Sequence, residues 1–241
     1  MKKKKRIIYS LTVLSLGLFS FSALHSKKEL LKNKITPATT KPFTIIEDSL
    51  YNTMQLDNYG LSRSAFLYAI QGWSKLKEQG KIVNDKIISI IDFSLPSNKK
   101  RLFVIDVETM QVIFNTYVAH GRNSGVNVAS NFSNKSNSYK SSLGFYITEN
   151  VYSGKHGYSL KLNGEEKGFN DHAMQRGIVI HSANYVSEMA AQRGFIGRSQ
   201  GCPAIPANIH KEIIDKIKQG SCLFIYADDK NYLSHSSFIQ L

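Results

Sequence analysis

The chain has 241 residues, with 31 Lys and Arg against 18 Asp and Glu, for a formal net charge of +13. Two cysteines limit it to one disulfide at most. A basic balance favours anionic surroundings such as cell wall, membrane surface or nucleic acid, or reflects Lys-rich composition and solubility alone; no nucleic-acid-binding signature accompanies it.

The opening "MKKKKRIIYSLTVLSLGLFSFSALHSKK" sets five cations before an uncharged, mostly apolar run from Ile7 to Leu24, with small residues Ser20, Ser22 and Ala23 near its end. That order is the order of a secretory signal, assigned here to residues 1–26. The run is also just long enough to span a bilayer, so cleavage and retention as an N-terminal anchor both stay open. The expected localisation is outside the cytoplasm, in the periplasm or cell envelope, which makes the wall the natural anionic partner. After export one main core remains feasible, burying roughly 70% of the unfolded chain's surface.

Residues 27–43 are cationic with Pro, Thr and Ala and read as a linker. Residues 44–84 read as a helical lead-in packed on a catalytic domain. "IIEDSLYNTMQL" is one helix, stopped by "DNYG"; Ser62 caps a second, in which Phe66, Ile70, Trp73 and Lys77 recur at helical spacing. The catalytic domain is assigned to 85–228. "KIISIIDFS" reads as a strand, and "RLFVIDVETMQVIFNTYVAH" as two strands joined by a turn near Glu108 and Thr109. A long Ser/Asn/Gly-rich loop follows, too polar for a core. Strands then recur in "GFYITENVY", "YSLKLNG" and "GIVIHSA". A late helix runs from near Pro206 to a stop at Gly220, "CLFIYA" is a last strand, and the polar tail 229–241 is expected to be loose. The fold class is therefore mainly β with a few helices.

The chemistry concentrates in "GRSQGCPAIP", where Cys202 sits between a glycine and a proline, unlike Cys222 among the apolar residues of "SCLFIYA". An unperturbed thiol is only a few per cent thiolate at neutral pH, so a reactive cysteine needs a base and a cationic neighbour. His181, ending the apolar strand "GIVI", is the candidate base, and a neighbouring imidazolium would raise the thiolate fraction. Gly201 lets the backbone turn its N–H groups toward an oxyanion. Other readings stay open on the residues alone. His181 also reads as a satisfied core histidine, Cys202 and Cys222 as a disulfide pair, and some of His120, His156, His172 and His181 as zinc ligands, although no HExxH or paired-cysteine spacing supports a metal. His210 falls on the late helix as a surface side chain.

The segment "IVIHSANYVSEMAAQRGFIGRSQGCPAIP" resembles the catalytic core of bacterial L,D-transpeptidases (the YkuD-type fold, in its murein L,D-transpeptidase catalytic-domain branch). The likeness extends through "IIDFS", "RLFVIDVET", "VAHGRNSG", "ASNFSN", "SSLGFYIT", "GKHGYSLKLNG" and "EKGFNDHA", over roughly residues 87–227. It implies an L,D-transpeptidase-type β-sandwich. It also implies Cys202 as nucleophile, His181 as base, the Ser182 carbonyl as the group orienting the imidazole, and Ser199 and Gly201 as motif residues. Gln200 stands where the family motif has histidine, and Ala204 where it has Arg or Asn.

The implied reaction is attack of the Cys202 thiolate on the bond between the third residue of a peptidoglycan stem and a terminal D-alanine. N–H groups of Gly201 and Cys202 hold the oxyanion, D-alanine leaves, and the thioester passes to an amine of a second stem as a 3→3 cross-link. With water as acceptor the enzyme would be an L,D-carboxypeptidase. A third alternative is a non-catalytic wall-binding protein stapled by a Cys202–Cys222 disulfide. No metal or organic cofactor is implied; the partners are donor and acceptor stem peptides, not nucleic acid. Ser199, Gln200, His120, Arg122 and His156 are the expected substrate contacts, Arg122 through a stem carboxylate.

Overall fold

The computed structural model describes residues 42–239. The signal or anchor segment, and the linker up to residue 41, lie outside the described residues; no described helix is long and apolar enough to cross a membrane. Helix α1 (Pro42–Thr53) starts two residues earlier than the sequence suggests, with proline at the first helical position, where its missing N–H costs nothing. In α2 (Arg63–Glu78) the capping hydroxyl of Ser62 accepts from the Ala65 N–H at 3.3 Å. The Ser62 N–H in turn donates to Asp92 Oδ2 at 3.1 Å, tying the lead-in to the end of the first strand. Of the helical period read from the sequence, Phe66 and Ile70 are buried together with Ala69 and Leu76, Trp73 is half-buried, and Lys77 is exposed, so the core-facing stripe ends at Leu76.

Among the described residues eight strands pair in one continuous order. They are β1 (Ile87–Asp92), β2 (Leu102–Asp106), β3 (Gln111–Thr116), β4 (Gly144–Gly154), β5 (Gly157–Gly164), β6 (Val179–Ser182), β7 (Ala204–Ile205) and β8 (Cys222–Tyr226). The order is β3-β2-β1-β8-β4-β5-β6-β7, which makes the molecule mainly β with a few helices. β8 lies parallel to β1 and antiparallel to β4. Every residue of β1 and β8 is buried, which explains why they read as unbroken apolar runs rather than alternating ones. The turn near Glu108 forms because Asp106 Oδ1 accepts from the N–H groups of Glu108 and Thr109 at 3.0 and 2.9 Å.

Two features position the site. The β4–β5 hairpin shifts register between Thr148 and Val151 and runs on as an exposed ribbon whose tip is Lys155 and His156. Beyond β6, the segment leading to Cys202 holds α3 (Glu188–Gln192), capped by Ser187, and its own small core of Val186, Ala191 and Ile196 packed with Ala119 and Ala204. That core fixes the path from His181 to Cys202.

The C-terminal expectation needs correcting. Residues after Asp229 form α5 (Lys230–His235), with Asp229 Oδ1 accepting from the Tyr232 N–H at 2.8 Å. Tyr232, Phe238 and Ile239 enter the main core. The buried Glu166 carboxylate accepts from Tyr232 Oη at 2.8 Å, from the Phe145 N–H at 2.8 Å and from the Ser236 hydroxyl, bolting the tail to β4. The sequence looked loose because its apolar residues are few and spaced by polar ones, not because they are unused.

Candidate active site

Cys202 and His181 reach one cavity of about 540 Å³ from neighbouring strands. β6 and β7 pair in parallel, with His181 opposite Ala204, and the His181 N–H lies 3.4 Å from the Pro203 carbonyl. The cysteine turn is also held on its far side, where Ser199 N donates to the His120 carbonyl at 2.9 Å and Arg122 N to the Ser199 carbonyl at 2.8 Å. Gly201 adopts φ +128°, and a Cβ there would come within 3.0 Å of the Lys140 carbonyl oxygen, so glycine serves both the turn and the close approach.

His181 is 4% exposed, and its Nδ1 lies 2.9 Å from the Ser182 carbonyl. A carbonyl only accepts, so Nδ1 carries the proton and Nε2 is left with its lone pair. Burial holds the ring's pKa below the ordinary histidine value, opposed by that carbonyl and reinforced by the neighbouring His156 imidazole. The two rings stack, centroids 4.2 Å apart, with planes at 23°. Cys202 is a free thiol whose Sγ donates to the Gly177 carbonyl at 3.6 Å. Burial pushes its pKa up, while the Val179 N–H, the Arg176 guanidinium and its own N–H pull it back. The expected thiolate–imidazolium pair is therefore not the favoured resting form: desolvation favours neutral thiol beside neutral imidazole. An imidazole lone pair and a thiol sharing one cavity can still exchange a proton when a ligand arrives.

Several expected site residues stand elsewhere or do other work. His120 is fully buried: Arg101 Nη2 donates to its Nδ1 at 2.7 Å, and its Nε2 donates to the Gly125 carbonyl at 3.2 Å. Burial and that guanidinium depress its pKa to about 4, and both nitrogens are spent, so it braces the strand end instead of touching substrate. Arg122 lies outside the cavity wall, its guanidinium stacked 3.9 Å over the Tyr139 ring. Ser199 lines the cavity, but its hydroxyl donates to the Cys202 carbonyl at 2.6 Å and accepts from the Gly201 N–H at 3.0 Å. That N–H is thus not free for an oxyanion, and Cys202 N–H is the one available in the turn. Gln200 and His156 do line the cavity.

The disulfide alternative fails, since both sulfurs are free and Cys222 lies fully buried in β8 between Ile88 and Ile147. Among the described residues no three His, Cys, Asp or Glu side chains converge as metal ligands. Of the four histidines only His156 and His181 meet: His120 is buried against Arg101 and His172 lies beside Asp171. His210 is half-buried at the start of α4 (His210–Ile217).

Sequence reasoning missed Arg176, Arg198, Lys155 and Tyr185, all on the cavity wall. Arg176 donates to the carbonyls of Ser133 and Lys140, each at 2.8 Å, and to the hydroxyls of Ser138 and Ser142, fastening the long polar loop beside the thiol. Its position directly before "GIVIH", like that of Arg198 inside "GRSQGC", was the available signal.

Residues 57–226 match the model of the L,D-transpeptidase catalytic domain, an enzyme class whose substrates are peptidoglycan stem peptides. The chain belongs to this family. Similar solved structures include an L,D-transpeptidase from Mycobacterium smegmatis, at 11% identity and TM-score 0.38, covering 59% of each chain. Another is the L,D-transpeptidase of Stackebrandtia nassauensis, at 15% identity and TM-score 0.37, covering 69% of this chain and 68% of that one. A third is L,D-transpeptidase 1 of Mycobacterium tuberculosis, at 10% identity and TM-score 0.35, with 58% and 62% covered. The chain thus spans 59% of the length of the Mycobacterium smegmatis structure. No match is found among curated proteins.

Proposed function

We propose that the protein is an exported, cysteine-dependent peptidoglycan L,D-transpeptidase. The observation that carries the reading is a free thiol on the same cavity wall as an imidazole whose Nδ1–H is fixed by the Ser182 carbonyl, leaving Nε2 as the base. On donor binding, Nε2 of His181 takes the Sγ proton as sulfur attacks the carbonyl joining the third stem residue to D-alanine. The Cys202 N–H stabilises the oxyanion; a donor in this position is worth about 3–4 kcal/mol of barrier. The C–N bond breaks, the imidazolium returns its proton to the departing amine, and a thioester remains. An acceptor amine then attacks, loses its proton to His181 and frees the thiol, giving a 3→3 cross-link.

Localisation in the periplasm or envelope follows from the same reading and from the n- and h-region order of the leader. Incubation with purified tetrapeptide-stem muropeptides tests the reaction. Dimers are expected, with no product from Cys202→Ala. Monomeric tripeptides alone would move the assignment to an L,D-carboxypeptidase, and full activity in Cys202→Ala would end the thiol mechanism.

A further inference from the structure

Some cations of the described surface stand in ion pairs, Lys77 with Asp85, Lys81 with Glu165 and Lys86 with Glu108. At the cavity the charge is of one sign. Arg176, Arg198 and Lys155 contribute to its wall and no Asp or Glu does. Arg198 donates through Nη1 to the carbonyls of Arg122 and Gly125, each at 3.0 Å, which orients the guanidinium without neutralising it and leaves its other nitrogens unspent. Lys155, at the hairpin tip beside His156, forms no ion pair among the described residues and brings its charge in from the opposite element. Arg176 is committed to the polar loop beside the thiol. A cavity wall that presents two exposed, uncommitted cations from two different elements and no carboxylate suits an anionic ligand, and guanidinium favours a carboxylate by geometry as well as charge.

The donor that the family resemblance implies, a tetrapeptide stem with diaminopimelate as its third residue, carries a free carboxylate on each side of the bond to be broken. One belongs to the leaving D-alanine and one to the side chain of the third residue. We infer that Arg198 and Lys155 recognise these carboxylates, so that this chain selects anionic stems over stems amidated at those positions. The inference rests on the donor named under the proposed function and adds to it the chemical form of that donor.

The test separates recognition from reaction. Cys202→Ala is titrated calorimetrically with the free tetrapeptide, with its D-alanine amide and with its third-residue side-chain amide. The free acid is expected to bind more than fivefold tighter than at least one amide, with affinity falling as salt rises. In a background also carrying Arg198→Gln and Lys155→Gln that preference should disappear. A preference below fivefold for both amides, or one that survives the double substitution, overturns the inference, as does failure of the free acid to bind. Wild-type turnover is scored separately. Selective binding without dimer or tripeptide would sink the reaction and leave the recognition, whereas equal turnover of all three peptides would sink the recognition and leave the reaction.

Discussion

The imidazole of His156, at the tip of an exposed hairpin, stacks on the buried imidazole of His181 at 4.2 Å between centroids. Burial holds the pKa of His181 down, and the His156 imidazole facing it adds to the effect. The titratable groups sharing the cavity with these rings are Lys155, Arg176, Arg198, the thiol and the tyrosines Tyr139, Tyr152 and Tyr185, with no carboxylate among them. His156→Ala removes one like charge and opens the ring to solvent, so the pKa of His181 should rise. Since the base works only when neutral, the acid limb of the kcat/KM profile should move to higher pH. A limb that stays put, or moves to lower pH, would contradict this.

Arg176→Met should lower the reactivity of Cys202 at neutral pH. With the guanidinium gone, burial alone acts against the thiolate and the thiol pKa rises further. Each unit of increase removes about tenfold of the thiolate fraction. The rate of alkylation by iodoacetamide across pH reads the shift directly. Arg176→Lys, which keeps the charge but not the fork, should recover part of the rate if the effect is electrostatic; equal loss in both would point to the loop contacts instead.

Ser199→Ala should loosen the cysteine turn without touching the sulfur. It strands the Gly201 N–H and deprives the Cys202 carbonyl of its donor. A buried donor left unsatisfied costs about 1–3 kcal/mol. Chemical denaturation should show a loss in that range, with activity falling while free-thiol content stays at two. Ser199→Thr, which keeps the hydroxyl, should lie between wild type and Ala.

Glu166 gives a stability prediction with a definite sign. Burial raises its pKa above the ordinary carboxylate value despite the Ser236, Phe145 and Tyr232 donors. The folded state therefore binds more protons than the unfolded state once pH exceeds the unfolded carboxylate's pKa, and stability falls as pH rises through the folded pKa. Urea unfolding of wild type should show this decline just above the usual carboxylate range, and Glu166→Gln should remove that component. An identical pH dependence in both proteins would refute the assignment.

Much of the scaffold was legible because its strands carry plain physical signals. β1 and β8 are continuous apolar runs, Ser62 precedes a helical stripe, and Asp106 starts a turn two residues on. The site was legible as far as Cys202 and His181, whose local sequences differ from those of core residues. The expected substrate contacts that the structure commits elsewhere have a common character. His120, Arg122 and Ser199 are polar residues near strand ends, and sequence cannot tell whether such a side chain faces a ligand or another part of the chain. Arg101, 17 and 19 residues from its partners Val118 and His120, decided that question for His120. The reverse holds for Arg176 and Lys155, which share the cavity with the thiol only through the pairing of β4, β5 and β6.

The middle of the sheet is filled by β8, the last strand to appear in the chain, joined to β1 across well over a hundred residues. Until β8 arrives, β1 and β4 each offer an open edge and the two halves of the sheet share no ladder. Closing so long a loop is entropically late, and chains dominated by such pairings fold slowly. Catalytic competence should accordingly appear in one cooperative step, with no partially active species preceding it.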